Sequence, residues 1–153
     1  MISVSSLRTL LPVFVPVALV IAGLGAGYYF ASASNNSSAV TWNPSHIKIK
    51  FSPQVGSGSL PASFTCSPSV SPVTLKASSS QPDLITITVS PSSFSTCGST
   101  PDSVTVTAVC TPAAIANLTC AGAEATGTVV VCGPSSYTCL QNSLQVEVEA
   151  GDR

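Results

Sequence analysis

The sequence predicts an all-β domain, an antiparallel β-sandwich of seven or eight short strands, preceded by one apolar N-terminal α-helix. From Val40 onward, apolar and polar residues alternate in short runs, which is typical of half-buried strands. Pro, Gly and Ser separate the runs, and no amphipathic helical pattern lies between them. All six cysteines follow the apolar run, which favours a disulfide-bonded exported domain.

Composition argues against several kinds of partner. Only 7% of the 153 residues are charged, and the formal net charge is −1. Nucleic acid requires clustered Lys and Arg, so it is not an expected partner. The 27 serines and 15 threonines predict a surface covered mainly by hydroxyl groups. The few aromatic residues leave Val, Ile, Leu and Ala to form most of the core.

The first element is the apolar run Leu10–Phe30, which contains no charged residue. About 20 helical residues span the hydrocarbon core of a bilayer, so we predict a transmembrane or filament-core helix over residues 10–31. Arg8 precedes the run and favours an internal N-terminus with the domain outside. Residues 1–9 are then a leader or a cytoplasmic stub.

Within this helix, several residues have positional meaning. Pro12 lies in the first turn, where the missing amide donor has no intrahelical partner to lose. Gly23 and Gly27 leave a face of small residues that permits close helix packing. Tyr28 lies where interfacial aromatic residues are expected.

A competing prediction is that the helix is removed. Ala31-Ser32-Ala33 matches the small-residue motif of a signal peptidase site, and cleavage there would leave Ser34 as the first residue. Residues 32–39 form a Ser/Asn-rich linker before the domain, which we place at residues 40–153. Asn35, Asn36 and Asn117 each begin an N-x-[ST] glycosylation motif.

The strands of the domain are predicted from alternation. The runs lie at residues 47–51, 64–66, 73–75, 84–89, 104–110, 118–120, 126–132 and 144–148. Their number and spacing predict an immunoglobulin-like sandwich, although Trp42 precedes every cysteine and the usual Cys, Trp, Cys order is absent.

The six cysteines predict up to three disulfides in an oxidising compartment. They are Cys66, Cys97, Cys110, Cys120, Cys132 and Cys139. Six cysteines allow about 15 pairings, and buried free thiols are the alternative. Short spacing suggests a Cys132–Cys139 pair across a hairpin and a Cys110–Cys120 pair across another loop.

No residue pattern indicates catalysis. His46 is the single histidine, and it lies on the outward phase of a predicted strand. A Ser-His-acid triad needs a histidine near a serine and an acid. A zinc site usually needs cysteines or histidines at close spacing such as Cys-x-x-Cys, and the sequence has no such pair. We therefore expect a non-catalytic protein with no cofactor, no metal and no small-molecule substrate.

The segment Arg8-Thr9-Leu10-Leu11-Pro12-Val13 resembles the processing region of archaeal type IV pilins. In that family a basic and a small residue precede the cleavage site, and the mature chain begins with an apolar helix that often has proline third. Cleavage between Thr9 and Leu10 would place Pro12 third. The resemblance implies a membrane-inserted precursor that self-associates into an extracellular homopolymer, with a Ser/Thr-rich, glycosylated β domain outside.

Two alternatives remain open. If the chain is cut after Ala33, residues 35–51 are able to act as a donor strand that completes a neighbour's sheet, with Ile47, Ile49 and Phe51 as anchors. The simpler interpretation is that this stretch is the domain's own first strand. If neither cut occurs, the chain is a single-pass membrane protein that displays a β-sandwich as an adhesion or envelope module.

Overall fold

The computed structural model describes residues 38–134 and 138–152, which form two β-sheets around one apolar core. The predicted leader, the helix, both cleavage sites and the Asn35 and Asn36 glycosylation sites lie outside the described residues. Within those residues, no helix has the length and apolar character needed to span a membrane. The strands are β1 Ala39–Asn43, β2 His46–Phe51, β3 Ser57–Ser67, β4 Val73–Ser79, β5 Ile85–Ser90, β6 Ser93–Phe94, β7 Asp102–Cys110, β8 Glu124–Cys132 and β9 Leu144–Ala150.

The strand order confirms the predicted two-sheet, nearly all-β domain. Sheet A has the order β1-β3-β7-β5, and sheet B has the order β2-β9-β8-β4-β6. The immunoglobulin constant-type sandwich places strands ABED in one sheet and CFG in the other. The same order results here when β1, β3, β4, β5, β7, β8 and β9 are taken as A to G. Strands β2 and β6 are additional edges of sheet B.

One strand pair corrects the prediction of a purely antiparallel sandwich. β2 runs parallel to β9, with Ile47 opposite Val146. The run that begins at Val40, which the sequence presented as one alternating stretch, is divided between the sheets: β1 pairs with β3 in sheet A, and β2 joins sheet B. The two-residue gap at Pro44 and Ser45 is where the chain crosses.

The core lies between the inward faces of the two sheets and contains no buried polar or charged side chain among the described residues. Phe64 is at its centre. Its ring centroid lies 5.0 Å from that of Trp42 in β1 and 5.3 Å from that of Phe94 in β6. Valine supplies much of the remaining core, as the low aromatic content predicts.

The predicted strand at residues 118–120 is wrong. The connection between β7 and β8 instead contains the short helix α1, Pro112–Ala116. Thr111 is its N-cap, because the hydroxyl oxygen accepts a hydrogen bond from the Ala114 amide at 3.1 Å. Pro112 occupies the first turn, where proline is favoured. Five residues are too few to show an amphipathic period.

Strand β3 extends well beyond the short strand predicted at residues 64–66. The prediction was too short because Gly58 and Pro61 interrupt the alternation of apolar and polar residues. Both have a structural reason. A Cβ at Gly58 would lie only 2.9 Å from Ile49 Cγ2, so a side chain there would crowd β2. β1 pairs only with residues 63–67 of β3, so Pro61 lies where β3 lacks its second neighbour and an amide donor is not required.

Three disulfides join the six cysteines, so the free-thiol alternative is wrong. The pairs are Cys66–Cys97, Cys110–Cys120 and Cys132–Cys139. The last two are the local pairs that the spacing suggested. Three disulfides in one small domain indicate an oxidising compartment.

Candidate assembly surfaces

The outer face of sheet A is a hydroxyl surface. Side chains from all four strands contribute to it: Thr41, Ser59, Ser63, Thr65, Thr86, Thr88, Ser90, Ser103, Thr105 and Thr107. Thr88, Thr107 and Ser59 form one row across three strands, and the Ser59 and Thr107 hydroxyls lie 2.8 Å apart. Asp102, at the start of β7, is the only charged residue in these strands. The hydroxyl groups of this face can therefore both donate and accept hydrogen bonds, and they carry no charge.

The outer face of sheet B contains an ion-pair ladder along the parallel β2–β9 pair. Lys48 Nζ lies 3.0 Å from one Glu149 carboxylate oxygen, and Lys50 Nζ lies 3.6 Å from it. His46 Nε2 is 3.5 Å from Glu147. Inside the same pair, Ile47, Ile49 and Phe51 face the core opposite Val146, Val148 and Ala150. Alternation thus fixes both faces of β2, because a one-residue slip would bury the lysines.

The ladder gives a pH-dependent stability. The hydrogen bond and charge of Lys48 lower the pKa of Glu149 below 4.5, and Glu149 in turn raises the pKa of Lys48 above 10.5. A lowered acid pKa contributes stability above its unfolded value and loses it as the pH falls through the folded value. The raised lysine pKa contributes below about 10.5 and is lost at higher pH.

We expect Glu149→Gln to reduce thermal stability slightly between about pH 5 and 10, because all partners are half-exposed. The difference from the unaltered protein should shrink as the pH falls below 4.5 and disappear once the pH has passed the lowered pKa of folded Glu149, where the carboxyl group is protonated in both states. Thermal unfolding followed by circular dichroism at several pH values measures it. In about 1 M salt the difference should also vanish at neutral pH. A difference that persists in acid and in salt would assign the effect to packing.

The crossing segment, which we define as residues 39–51, forms an edge of both sheets. β1 pairs only with β3, and β2 pairs only with β9. Trp42 Nε1 donates to the Asn142 carbonyl at 3.1 Å, and Asn142 Nδ2 donates to the Val40 carbonyl at 3.3 Å. Asn142 has φ +70°, a conformation that asparagine tolerates. A groove of about 860 Å³ lies beside this segment. The segment is therefore bounded by open surface, although its apolar side chains belong to the core.

An apolar patch lies at one end of the sandwich. Val55, Ile115 and Leu118 are the large hydrophobic side chains that are exposed among the described residues, with exposed fractions of 72%, 48% and 61%. A shallow cavity of about 250 Å³ separates Pro53 and Gln54 from Ile115 and Leu118. We call the end that carries Val55, Ile115 and Leu118 the apolar pole. The sequence does not reveal it, because Leu118 falls in a predicted strand and Val55 lies between two predicted strands, at residues 47–51 and 64–66.

Leu118 is unusual in a second respect. Its φ is +59°, in the left-handed region, and it follows the C-cap residue Asn117 of α1. Glycine is the usual residue at this position after a helix. A non-glycine residue there costs about 1–3 kcal/mol, and such strain is concentrated at functional sites. The left-handed conformation of Leu118 completes a Schellman ending of α1, because the Thr119 amide donates to the Ala114 carbonyl at 2.9 Å and the Leu118 amide donates to the Ile115 carbonyl at 3.2 Å.

The structure separates the remaining predicted site residues. Asn117 is exposed beside the apolar pole, where its N-x-T motif is accessible. His46 is exposed on β2, as its outward phase predicted, and its Nε2 atom lies 3.5 Å from a carboxylate oxygen of Glu147. In the described residues, no three His, Cys, Asp or Glu side chains are grouped so as to hold a metal ion. The assembly-helix and processing residues precede Ser38 and cannot be placed.

No protein-family model matches the chain, and no curated protein matches it significantly. Among solved structures, a C. elegans member of the MSP family, WR4, is 14% identical with a TM-score of 0.43, over 76% of this chain and 100% of the other. Domains 4 and 5 of the S-layer protein SbsC are 11% identical with a TM-score of 0.43, over 74% of this chain and 51% of the other. The CooA pilin subunit of enterotoxigenic Escherichia coli is 8% identical with a TM-score of 0.38, over 77% of this chain and 99% of the other. Likeness at this level carries no argument about function.

Proposed function

We propose that this chain is a non-catalytic structural subunit of an extracellular cell-surface filament. The observation that supports the proposal is the order of its parts. A 21-residue apolar run without charge directly precedes a disulfide-bonded sandwich whose surface is rich in hydroxyl groups. Such a domain needs no charged ligand, and its N-terminal segment supplies a means of self-association.

In the proposed mechanism, the membrane holds the precursor through residues 10–31 until the leader is removed after Thr9. The apolar helices then bundle, and contact between helices replaces contact with lipid. The small residues Gly23 and Gly27 permit close approach. The sandwich domains lie outside, where the three disulfides limit unfolding by constraining the unfolded chain.

The N-terminal sequence and intact mass of the protein from its native cell surface test this proposal, together with electron microscopy of the same sample. A chain that begins at Leu10 and forms filaments would support it. A chain that begins at Met1 and stays in the membrane fraction would favour the anchored adhesion or envelope module. A chain that is monomeric in every condition and lacks the apolar run would overturn filament assembly.

A second candidate is assembly by strand exchange, in which residues 39–51 of one copy complete the sheets of the next. The observation that favours it is the position of the crossing segment. It is N-terminal and forms one edge of each sheet, and it places Val40, Trp42, Ile47, Ile49 and Phe51 in the core. The same pairing made by a neighbouring copy would preserve every one of these contacts.

We expect a domain that lacks residues 1–51 to be unstable alone and to fold when a peptide of residues 38–51 is added. Trp42 is the only tryptophan and is 6% exposed when docked, so a blue shift of its emission reports insertion directly. The same peptide with Ile49→Asp is the matched control and should not insert, because it buries a charge. A truncated domain that folds alone and ignores the peptide would contradict strand exchange.

A further inference from the structure

Strand β5 forms a free edge of sheet A. In the described residues it pairs with β7 on one side and with no strand on the other. The Cys110 amide of β7 donates to the Gly56 carbonyl, toward β3. The next amide, that of Thr111, donates to the Leu84 carbonyl, toward β5. Hydrogen-bonded pairs alternate along an antiparallel ladder, so the even-numbered residues of β7 bond to β3 and the odd-numbered ones bond to β5.

This alternation determines which backbone groups of β5 point away from the sheet. In the observed register, the even-numbered residues of β5 lie opposite the odd-numbered residues of β7 and bond to them. Ile87 and Val89 therefore direct both their N–H and their C=O groups outward from the edge. The Ile85 carbonyl points the same way, whereas the Ile85 amide donates to the Gln81 carbonyl at 2.8 Å. A row of outward donors and acceptors of this kind is a template for another β-strand.

The other three sheet edges carry protection that β5 lacks. At β1, the Asn142 side chain donates to the Val40 carbonyl at 3.3 Å. β2 carries Lys48 and Lys50, and lysine on an edge strand is a common means of preventing further pairing. β6 has only two residues and offers few backbone groups. β5 has six residues and contains neither a charged residue nor a proline, so it is the edge most open to another strand.

The sequence of β5 is complementary to itself. When two copies run antiparallel with Ile87 opposite Ile87, Thr86 of each copy lies opposite Thr88 of the other. Ile85 lies opposite Val89, so hydroxyl side chains meet on the outer face and apolar side chains meet on the inner face. The Ile87 amide of each copy then donates to the Ile87 carbonyl of the other, and the Val89 amide donates to the Ile85 carbonyl. This register uses the outward groups that the domain itself leaves over.

We propose that β5 pairs with β5 of a second copy of this chain, so that the two four-stranded sheets join into one continuous sheet with a hydroxyl outer face. A two-fold axis relates the copies, and the contact closes as a dimer. Asp83 is the charged residue closest to β5 in sequence. Its two copies would lie about 26 Å apart at the rise of a β-strand, so they do not oppose pairing. The contact depends on neither the apolar run nor its cleavage, and it is independent of filament assembly.

Cysteine crosslinking of the full-length chain tests the register. Thr86→Cys and Thr88→Cys place thiols at exposed positions. Between the two copies these positions form a non-hydrogen-bonded pair with Cα atoms about 4.5 Å apart, which permits a disulfide. Within a dimer of one variant alone, the two Cα atoms would be about 8 Å apart, which is too far.

The two variants expressed together should therefore form crosslinked dimers under mild oxidation, whereas either variant alone should not. Thr105→Cys expressed with Thr86→Cys is the control, because Thr105 is equally exposed but lies on the inner strand β7. Absence of the Thr86→Cys with Thr88→Cys crosslink would overturn the pairing. Crosslinking of each variant alone to the same extent as the mixture would also overturn it, because collision would then be the cause.

Val89→Pro, added to both cysteine variants, tests whether the backbone makes the contact. The proline removes an amide donor that points out of the sheet, and it takes no hydrogen bond from β7. The domain should remain folded with its three native disulfides, and the crosslink should be lost. A folded Val89→Pro protein that still forms the crosslink would overturn pairing through this edge.

Amide hydrogen exchange of the full-length protein provides a test that requires no cysteine. The Ile87 amide has no partner in another strand of its own sheet, so its protection from exchange reports the second copy. Thr88→Lys gives β5 the protection that β2 has, and it should increase the exchange rate at Ile87 about tenfold. Thr105→Lys is the control and should leave that rate unchanged. Equal exchange rates at Ile87 in all three proteins would overturn the dimer. A chain that pairs through β5 but never forms filaments would remove the proposed function and leave this contact in place.

Discussion

Phe64→Ala is expected to destabilise the domain by about 3–5 kcal/mol, the usual cost of removing a buried aromatic side chain. Phe64 is almost fully buried, and its ring contacts Trp42 on one side and Phe94 on the other. The substitution therefore removes packing that joins β1, β3 and β6. Urea unfolding followed by far-ultraviolet circular dichroism, with the disulfides intact, measures the loss.

Phe94→Ala is the matched control for this prediction. Phe94 belongs to the two-residue edge strand β6 and is only partly buried, so its removal leaves a space that solvent can fill. We expect about half the loss seen for Phe64→Ala. Equal losses would show that Phe64 is not the centre of the core. Because Trp42 belongs to the crossing segment, Phe64→Ala should also weaken the binding of the peptide of residues 38–51.

Gly127→Ala is expected to cost about 3 kcal/mol or to prevent folding. Gly127 lies within β8, opposite Ser79 of β4. An alanine Cβ would meet the backbone carbonyl oxygen of Ser78 and the Cδ1 atom of Ile87 from the other sheet. The carbonyl belongs to a paired strand that cannot move without breaking its ladder, so overpacking is severe here. Thermal and urea unfolding measure the change.

Gly98→Ala is the control for the glycine prediction. A Cβ at Gly98 would lie 3.7 Å from Ser69 Cβ, which is an ordinary van der Waals distance, and its φ is not positive. We expect a change within about 0.5 kcal/mol. If both variants lose the same stability, the close approach of sheets at Gly127 does not determine the fold.

The two outer faces of the sandwich carry different polar groups. Sheet A presents hydroxyl groups, whereas the charged side chains of β2 and β9 pair with one another on sheet B. The large exposed apolar side chains of the described residues occur only at the apolar pole. An apolar contact with another molecule is therefore expected at this end of the sandwich rather than across its faces.

The sequence alone determined which side of most strands is buried. Ile47 and Ile49, or Val146 and Val148, alternate with charged residues, and the two-residue period of a strand then leaves one choice of inward face. The local disulfides could also be predicted from the sequence, because Cys132 and Cys139 flank a short loop. The long-range Cys66–Cys97 pair was not, since nothing near either cysteine specifies a distant partner.

Only the tertiary structure decided which sheet each strand joins. Alternation shows that one face is buried, but it does not show against what, so the division between β1 and β2 and the parallel pairing with β9 were not predictable. Helix α1 was missed because Leu118 and Cys120 have the spacing of a strand, although Thr111 and Pro112 carry a helix-start pattern. The apolar pole depends on two loops that are distant in sequence and meet only when both sheets close. Surface of this kind arises from folding, because its residues become neighbours only through long-range packing.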